Sequence, residues 1–249
     1  MARNPTRERL AEIAEDQWGL LTRRQAEHVG IPQTTLERLT AEGSVLERVA
    51  RGVYRLTGAP ATDHLDLRAA WLQLAPAIPA WERTADHGVV SHRSAAALYD
   101  LGHLPADRHE FTMAARRQSR RPDVRLHLRR LQPGQVIELG GLPVTRPSRI
   151  ASDLLHAREE PDAVAHVVAD AIRGIYDYPG IFADALAPHA TQFGLRRADG
   201  LAVLRWLLDL VGDRDTGRWM EEARGHVARA TASSDHVPTT ASAADQPSG

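Results

Sequence analysis

Three absences narrow the chemistry open to this 249-residue chain before any motif is weighed. It has no cysteine, which excludes disulfides, thiolate zinc sites and a cysteine nucleophile, and which is compatible with a cytosolic setting. It has no lysine, since all 31 basic residues are arginine. An ordinary Walker A phosphate loop, Schiff-base chemistry and the Asp…Glu-x-Lys nuclease motif are excluded with it, even if the bias only reflects a GC-rich coding sequence. No apolar run approaches the ~18 residues that a membrane span requires. Met1-Ala-Arg-Asn-Pro5 also lacks the apolar core of a signal peptide, so the expected location is the cytoplasm.

What is present is enough for real cores. Apolar residues make up 43% of the chain, and its length suits one or two domains at about 100–200 residues each. The most informative stretch runs from Thr22 to Leu56. Thr22 follows the apolar pair Leu20-Leu21 and suits an N-cap. The helix it opens is limited to about two turns, because Gly30 suits a left-handed C-terminal position and Pro32 cannot continue it. A second helix follows Pro32, with Leu36 and Leu39 as its narrow apolar side against Ala26, Val29 and Ile31. Gln33, Thr34, Arg38 and Ala41 face outward, with Thr35 at the border. Gly43 ends that helix. Val45–Val49 and Val53–Leu56 then have the β-branched and aromatic content of a hairpin tipped by Arg51 and flanked by Arg48 and Arg55.

With a first helix over 7–17 carrying Leu10, Ile13 and Ala14, and Trp18 closing a small core with Leu20 and Leu21, this is the layout of a winged helix-turn-helix. In such a unit the second helix enters the major groove and the wing meets phosphates or the minor groove. The same layout also serves protein docking. Residues 1–60 hold nine Arg against eight acidic residues, a weak basic bias for a DNA binder.

Thr57-Gly-Ala-Pro-Ala-Thr62 is a turn-rich boundary. Beyond it, Asp63 can cap a helix through Ala75, ended by Pro76, and Ser91 a second one through Leu101. Strand candidates follow at 110–114, 124–128, 135–139 and 142–145, the last two joined by a tight Gly140-Gly141 turn. Helices return at 147–157, 161–175, 179–187 and 196–211. Strands in a block before helices in a block predict an α+β domain with a small antiparallel sheet and C-terminal helices. The expected division is 1–60 for the winged helix, 61–225 for the α+β domain, and 226–249 for a disordered tail that has no periodic apolar residues.

Charge is uneven. Residues 108–130 hold eight Arg against Glu110 and Asp123, whereas 131–249 hold eleven Arg against sixteen acidic residues. Arg116, Arg117, Arg120 and Arg121 fall in an expected loop between strands, either as a second polyanion grip or as a solvated loop paired with acidic helices. The twelve histidines show no metal-ligand spacing; His87 and His92 could converge in space, but scattered core-edge or surface histidines are the better account. Ser91-His92 reads as a helix cap beside a histidine rather than a nucleophile and its base. Neither Gly-x-Ser-x-Gly nor Gly-x-Gly-x-x-Gly occurs. No metal, cofactor or enzyme activity is expected.

Four blocks carry a resemblance: 19–26, 46–56, 90–98 (Val-Ser-His-Arg-Ser-Ala-Ala-Ala-Leu) and 144–154 (Val-Thr-Arg-Pro-Ser-Arg-Ile-Ala-Ser-Asp-Leu). In this order they resemble the AbiEi-type antitoxins, the transcriptional-regulator halves of type IV (abortive infection) toxin–antitoxin modules. The resemblance implies a winged helix that binds inverted repeats of double-stranded DNA in its own promoter and represses it, as a monomer or weak dimer. It also implies a C-terminal domain that counters a nucleotidyltransferase-type toxin. By position, the DNA contacts would be Gln33, Thr34, Thr35 and Arg38 on the second helix and Arg48, Arg51 and Arg55 on the wing. Some relatives end in an endonuclease-like domain, which the missing lysine disfavours here. The alternative is a module that binds and blocks a partner toxin without specific DNA binding.

Overall fold

The structure, a computed structural model, describes residues 5–43 and 45–234, and side chains only as far as Arg229. It opens with helix α1 (Pro5–Glu15), strand β1 (Leu20–Thr22), helices α2 (Arg23–His28) and α3 (Gln33–Ala41), and strands β2 (Leu46–Ala50) and β3 (Val53–Leu56). The three strands form an antiparallel sheet in the order β1-β3-β2. The hairpin and both short helices match expectation, but the third strand does not. Leu20-Leu21 is a strand, with Leu21 opposite Tyr54. Three residues are too few to show an alternating pattern, and only pairing with β3 makes them a strand.

The second part contains helix α4 (Leu65–Leu74), strand β4 (Val89–Val90), helix α5 (His92–Leu98), strands β5 (His109–Met113), β6 (Val124–Leu128), β7 (Val136–Leu139) and β8 (Leu142–Thr145), and helices α6 (Pro147–His156), α7 (Pro161–Arg173), α8 (Pro179–Leu186), α9 (Gly200–Leu210) and α10 (Thr216–Ser234). The fold is α+β as expected, but the larger sheet is mixed. Its order is β6-β5-β4-β8-β7, with β4–β5 and β7–β8 antiparallel and β4–β8 and β5–β6 parallel. The ten residues from 114 to 123, expected as a loop between neighbours, carry the chain back along the sheet so that β6 starts beside the start of β5. Parallel pairing needs such a return connection. Gly140 and Gly141 both take positive φ (57° and 81°), as a two-residue hairpin turn demands.

Local readings are corrected in three places. His64, not Asp63, stands at the N-cap of α4; the Asp63 carbonyl instead accepts Arg68 Nε at 3.0 Å. Trp18 does not close the small N-terminal core. Its ring meets Trp71 edge-on, and its Nε1 donates to the Gly140 carbonyl at 3.0 Å. Arg68 lies 4.4 Å over the Trp18 ring. The helix α10 was not expected at all. It buries Trp219, Met220 and Ala223 and runs past His226, where composition suggested the tail begins. Residues 235–249 of that tail lie outside the described residues. His87 and His92 do not converge: His87 Nδ1 accepts the Thr84 N–H, while His92 stacks on His127.

Two apolar cores result. The smaller holds Leu10, Leu21, Ala26, Ile31, Leu36, Leu39 and Tyr54. The larger runs through α4, the mixed sheet and α6–α10, and it also takes in Leu20 and Val53 from the N-terminal sheet. The first 57 residues therefore share apolar packing with the body.

Candidate nucleic-acid interface

The N-terminal helices are set by local chemistry. Thr22 Oγ accepts the Gln25 N–H at 3.1 Å and Gln25 Oε1 accepts the Thr22 N–H at 2.9 Å, a reciprocal capping box at the start of α2. Gly30 has φ 80° and Pro32 is the N-cap of α3, so the break between the helices is built into the sequence. The same polar residues dock this unit on the body. Thr22 Oγ donates to the Pro76 carbonyl, Gln25 Nε2 to the Ile78 carbonyl at 3.2 Å, and Gln17 Oε1 accepts the Ala80 N–H at 2.9 Å.

Between α2, α3 and the β2–β3 hairpin lies an open groove of about 1090 Å³. Arg23, Arg24, Arg48, Arg51 and Arg121 line it, with Glu37 the sole acidic lining residue among the described residues, so its floor and rim favour an anion. Gln33 lies inside, accepting from Arg23 Nη1 and donating to Glu37 Oε1 at 2.6 Å. Arg23 Nε also pairs with Glu27 at 3.0 Å. Arg48 and Arg51 are exposed and in no ion pair among the described residues. A bulge between Arg48 and Ala50 tightens the hairpin just before its tip.

The other sequence candidates lie elsewhere. Thr34 and Arg38 are exposed and Thr35 is half-buried, but none of them lines the groove; Arg38 Nη1 pairs with Glu42 at 2.6 Å. Arg55 turns away from solvent. Its Nη2 donates to the Ala59 and Pro60 carbonyls at 2.7 and 3.0 Å, and its side chain is only 18% exposed. Arg55 therefore holds the chain after β3. Sequence position beside Arg51 cannot distinguish these fates, because β3 pairs on both sides and the segment after it folds back over Arg55.

In the 116–121 loop, Arg116 and Arg120 are exposed and in no ion pair among the described residues. Arg117 Nη1 donates to the Leu74 carbonyl at 2.8 Å, and Arg121 pairs with Asp123 and with Gln73 Oε1. Sequence reading missed Arg23, Arg24 and Gln73 as lining residues. The Arg23-Arg24 pair directly after the Thr22 cap was a readable signal for the first two. Nothing marks Gln73 in the sequence.

A second polar cluster lies inside the body. Ser91 takes the N-cap position of α5 but makes no side-chain cap bond. His92, at φ 53°, brings its Nδ1 within 3.0 Å of Ser91 Oγ, which also accepts from Thr112 Oγ1 at 2.9 Å. Burial, and the neighbouring His127 stacked at 3.6 Å, push His92 down to about 4. Burial would raise the Glu110 carboxyl, but bonds from His127 Nε2 (3.1 Å) and the Arg93 N–H (3.0 Å) outweigh it and hold it below the usual range. Ser91 is fully buried and His92 is 5% exposed. Among the described residues, no group of three or more His, Asp or Glu side chains is placed to hold a metal, and no helix is long and apolar enough to cross a membrane.

None of the curated proteins searched matches the chain. Residues 8–57, which include the two short helices and the hairpin around the groove, match the family model described as transcriptional regulator, AbiEi antitoxin.

Proposed function

We propose that the chain is a DNA-binding regulator of a toxin–antitoxin module, with residues 1–60 acting as a winged helix-turn-helix and 61–225 as the antitoxin part. The observation that carries this reading is the groove between a short helix pair and an arginine-tipped hairpin, lined by five arginines of which Arg48 and Arg51 are in no ion pair among the described residues. Arg48 and Arg51 hold phosphates. Gln33 reads base edges from the groove, with Thr34 and Arg38 at the exposed side of α3, and Arg116 and Arg120 add affinity. Regulation follows as repression of the chain's own promoter, and the module's toxin is of nucleotidyltransferase type. Gel-shift titration of the upstream promoter fragment tests the reading. Affinity is expected to fall steeply between 50 and 200 mM salt, as phosphate-dominated binding does. A salt-independent interaction, or none at all, rejects it.

A second reading, direct capture of a protein partner by the body, is favoured by one feature. Ile175 and Tyr178 are 77% and 65% exposed, on a loop whose Asp177 is buried and accepts the Ser148 N–H at 3.2 Å. A stoichiometric complex with the neighbouring toxin, without any promoter shift, would select this reading.

A further inference from the structure

The groove is assembled from segments far apart in the chain, and its two basic parts meet at one place, the last turn of α4. This inference rests on the proposed DNA-binding reading. The α4 helix buries Leu67, Ala70, Trp71 and Leu74 in the larger core, which also takes in Leu20 and Val53 of the N-terminal sheet, so it stands between the winged unit and the body. Gln73 is half-buried, turned toward the groove, and lines it. Its Nε2 donates to the Arg51 carbonyl at the hairpin tip at 2.7 Å. Its Oε1 accepts from Arg121, whose guanidinium is also held by Asp123. One residue further on, the Leu74 carbonyl at the helix C-terminus accepts Arg117 Nη1 at 2.8 Å, where a cation also complements the helix dipole.

A single amide thus uses both its ends, one on the backbone of the hairpin tip and one on the basic loop. A lysine or arginine in its place would lack the acceptor, and a glutamate the donor. We infer that Gln73 is a positioning residue for nucleic-acid binding. It holds the Arg51 tip and the 116–121 loop in one register, so that their guanidiniums meet a phosphate backbone as a single preformed surface. It touches no ligand itself. Its effect comes from ordering two exposed basic segments before binding rather than during it.

The test uses the full chain with Gln73→Met, which keeps the length of the side chain but neither donates nor accepts as an amide does. Two readouts are taken. Without DNA, hydrogen exchange at the hairpin-tip amides around Arg51 and Gly52 should speed up in the variant while the global melting temperature stays within a few degrees. With the promoter fragment, affinity should fall by about tenfold. In an Arg121→Ala background the same substitution should cost clearly less, because one half of the bridge is already gone. If the wild-type chain shifts the fragment and Gln73→Met binds equally well, the inference is wrong. If the wild-type chain binds no DNA, the functional reading fails, and the positioning role for nucleic acid fails with it. Unchanged tip exchange in that case also removes the bridge as a fastening, whereas faster exchange would leave Gln73 a structural clasp only.

Discussion

The arginines of the body and the exposed arginines of the hairpin and the 116–121 loop are the same residue in opposite circumstances. In the body, Arg83 donates to the carbonyls of Trp71, Leu72, Ala75 and Ile78 and lies 4.4 Å over the Trp71 ring. Arg93 is held by Glu159 through two bonds, at 2.8 and 2.6 Å, and Arg149 by Asp153 at 2.9 and 2.8 Å. Each fills its fork of donors with protein acceptors and has little left for a ligand. The groove's Arg23, Arg24 and Arg121 pair with Glu27 and Asp123, whereas Arg48 and Arg51 at the groove, and Arg116 and Arg120 in the 116–121 loop, are exposed and lack ion-pair partners among the described residues. Water satisfies them at little cost, and a polyanion would relieve their mutual repulsion. Counting arginines therefore says little, because what separates a ligand-binding guanidinium from a structural one is whether the fold supplies its acceptors.

The contrast can be broken at its strongest point first. Arg83→Ala should lower stability by about 3 kcal/mol in urea unfolding, since it leaves buried carbonyls unpaired and strips a cation from Trp71. A loss under about 1 kcal/mol would mean that water replaces the guanidinium and that body arginines are less structural than described.

Acid sharpens the comparison from another side. His92 is buried neutral, with its folded value at about 4 against 6.5 for a free histidine, so the unfolded chain takes up the proton first. Its neutral form supports the fold fully above pH 6.5. That support is lost as pH falls from 6.5 toward 4, about 3 kcal/mol in total at one pH unit per 1.36 kcal/mol. Urea midpoints measured across that window should flatten in His92→Gln relative to wild type. Parallel curves would place the acid sensitivity elsewhere.

On the exposed side of α3, Arg38→Ala should relax base preference by about 1–3 kcal/mol at one operator position if it reads a guanine. Competition gel shifts with single-base operator variants measure this. Double substitution of Arg48 and Arg51 by Ala should instead weaken all sequences alike and flatten the log–log salt slope by about 0.9 per lost phosphate contact. Neither change should move stability by more than about 0.5 kcal/mol, in contrast to Arg83. The smallest effect is expected at an exposed pair in neither class. Arg218, paired with Glu222 at 3.1 Å on α10, should contribute at most about 0.5 kcal/mol to thermal stability.

The sequence by itself determined whatever depends on neighbours along the chain. Thr22 could be read as the start of a helix, Gly30-Ile-Pro32 as a break, Leu36 and Leu39 as a buried edge, and Gly140-Gly141 as a tight turn. Each is a short-range steric or hydrogen-bonding preference that acts whatever surrounds it. The tertiary structure alone decided the rest. It made β5 and β6 parallel, gave Leu20-Leu21 a strand partner, buried one side of α10, turned His92 onto Ser91 and His127, and sent Arg55 inward while Arg51 stayed outside. It also brought Gln73 to the tip of a hairpin twenty-two residues earlier. These outcomes depend on which distant groups share a surface, and an acceptor 22 or 48 residues away leaves no mark on the local pattern of its donor.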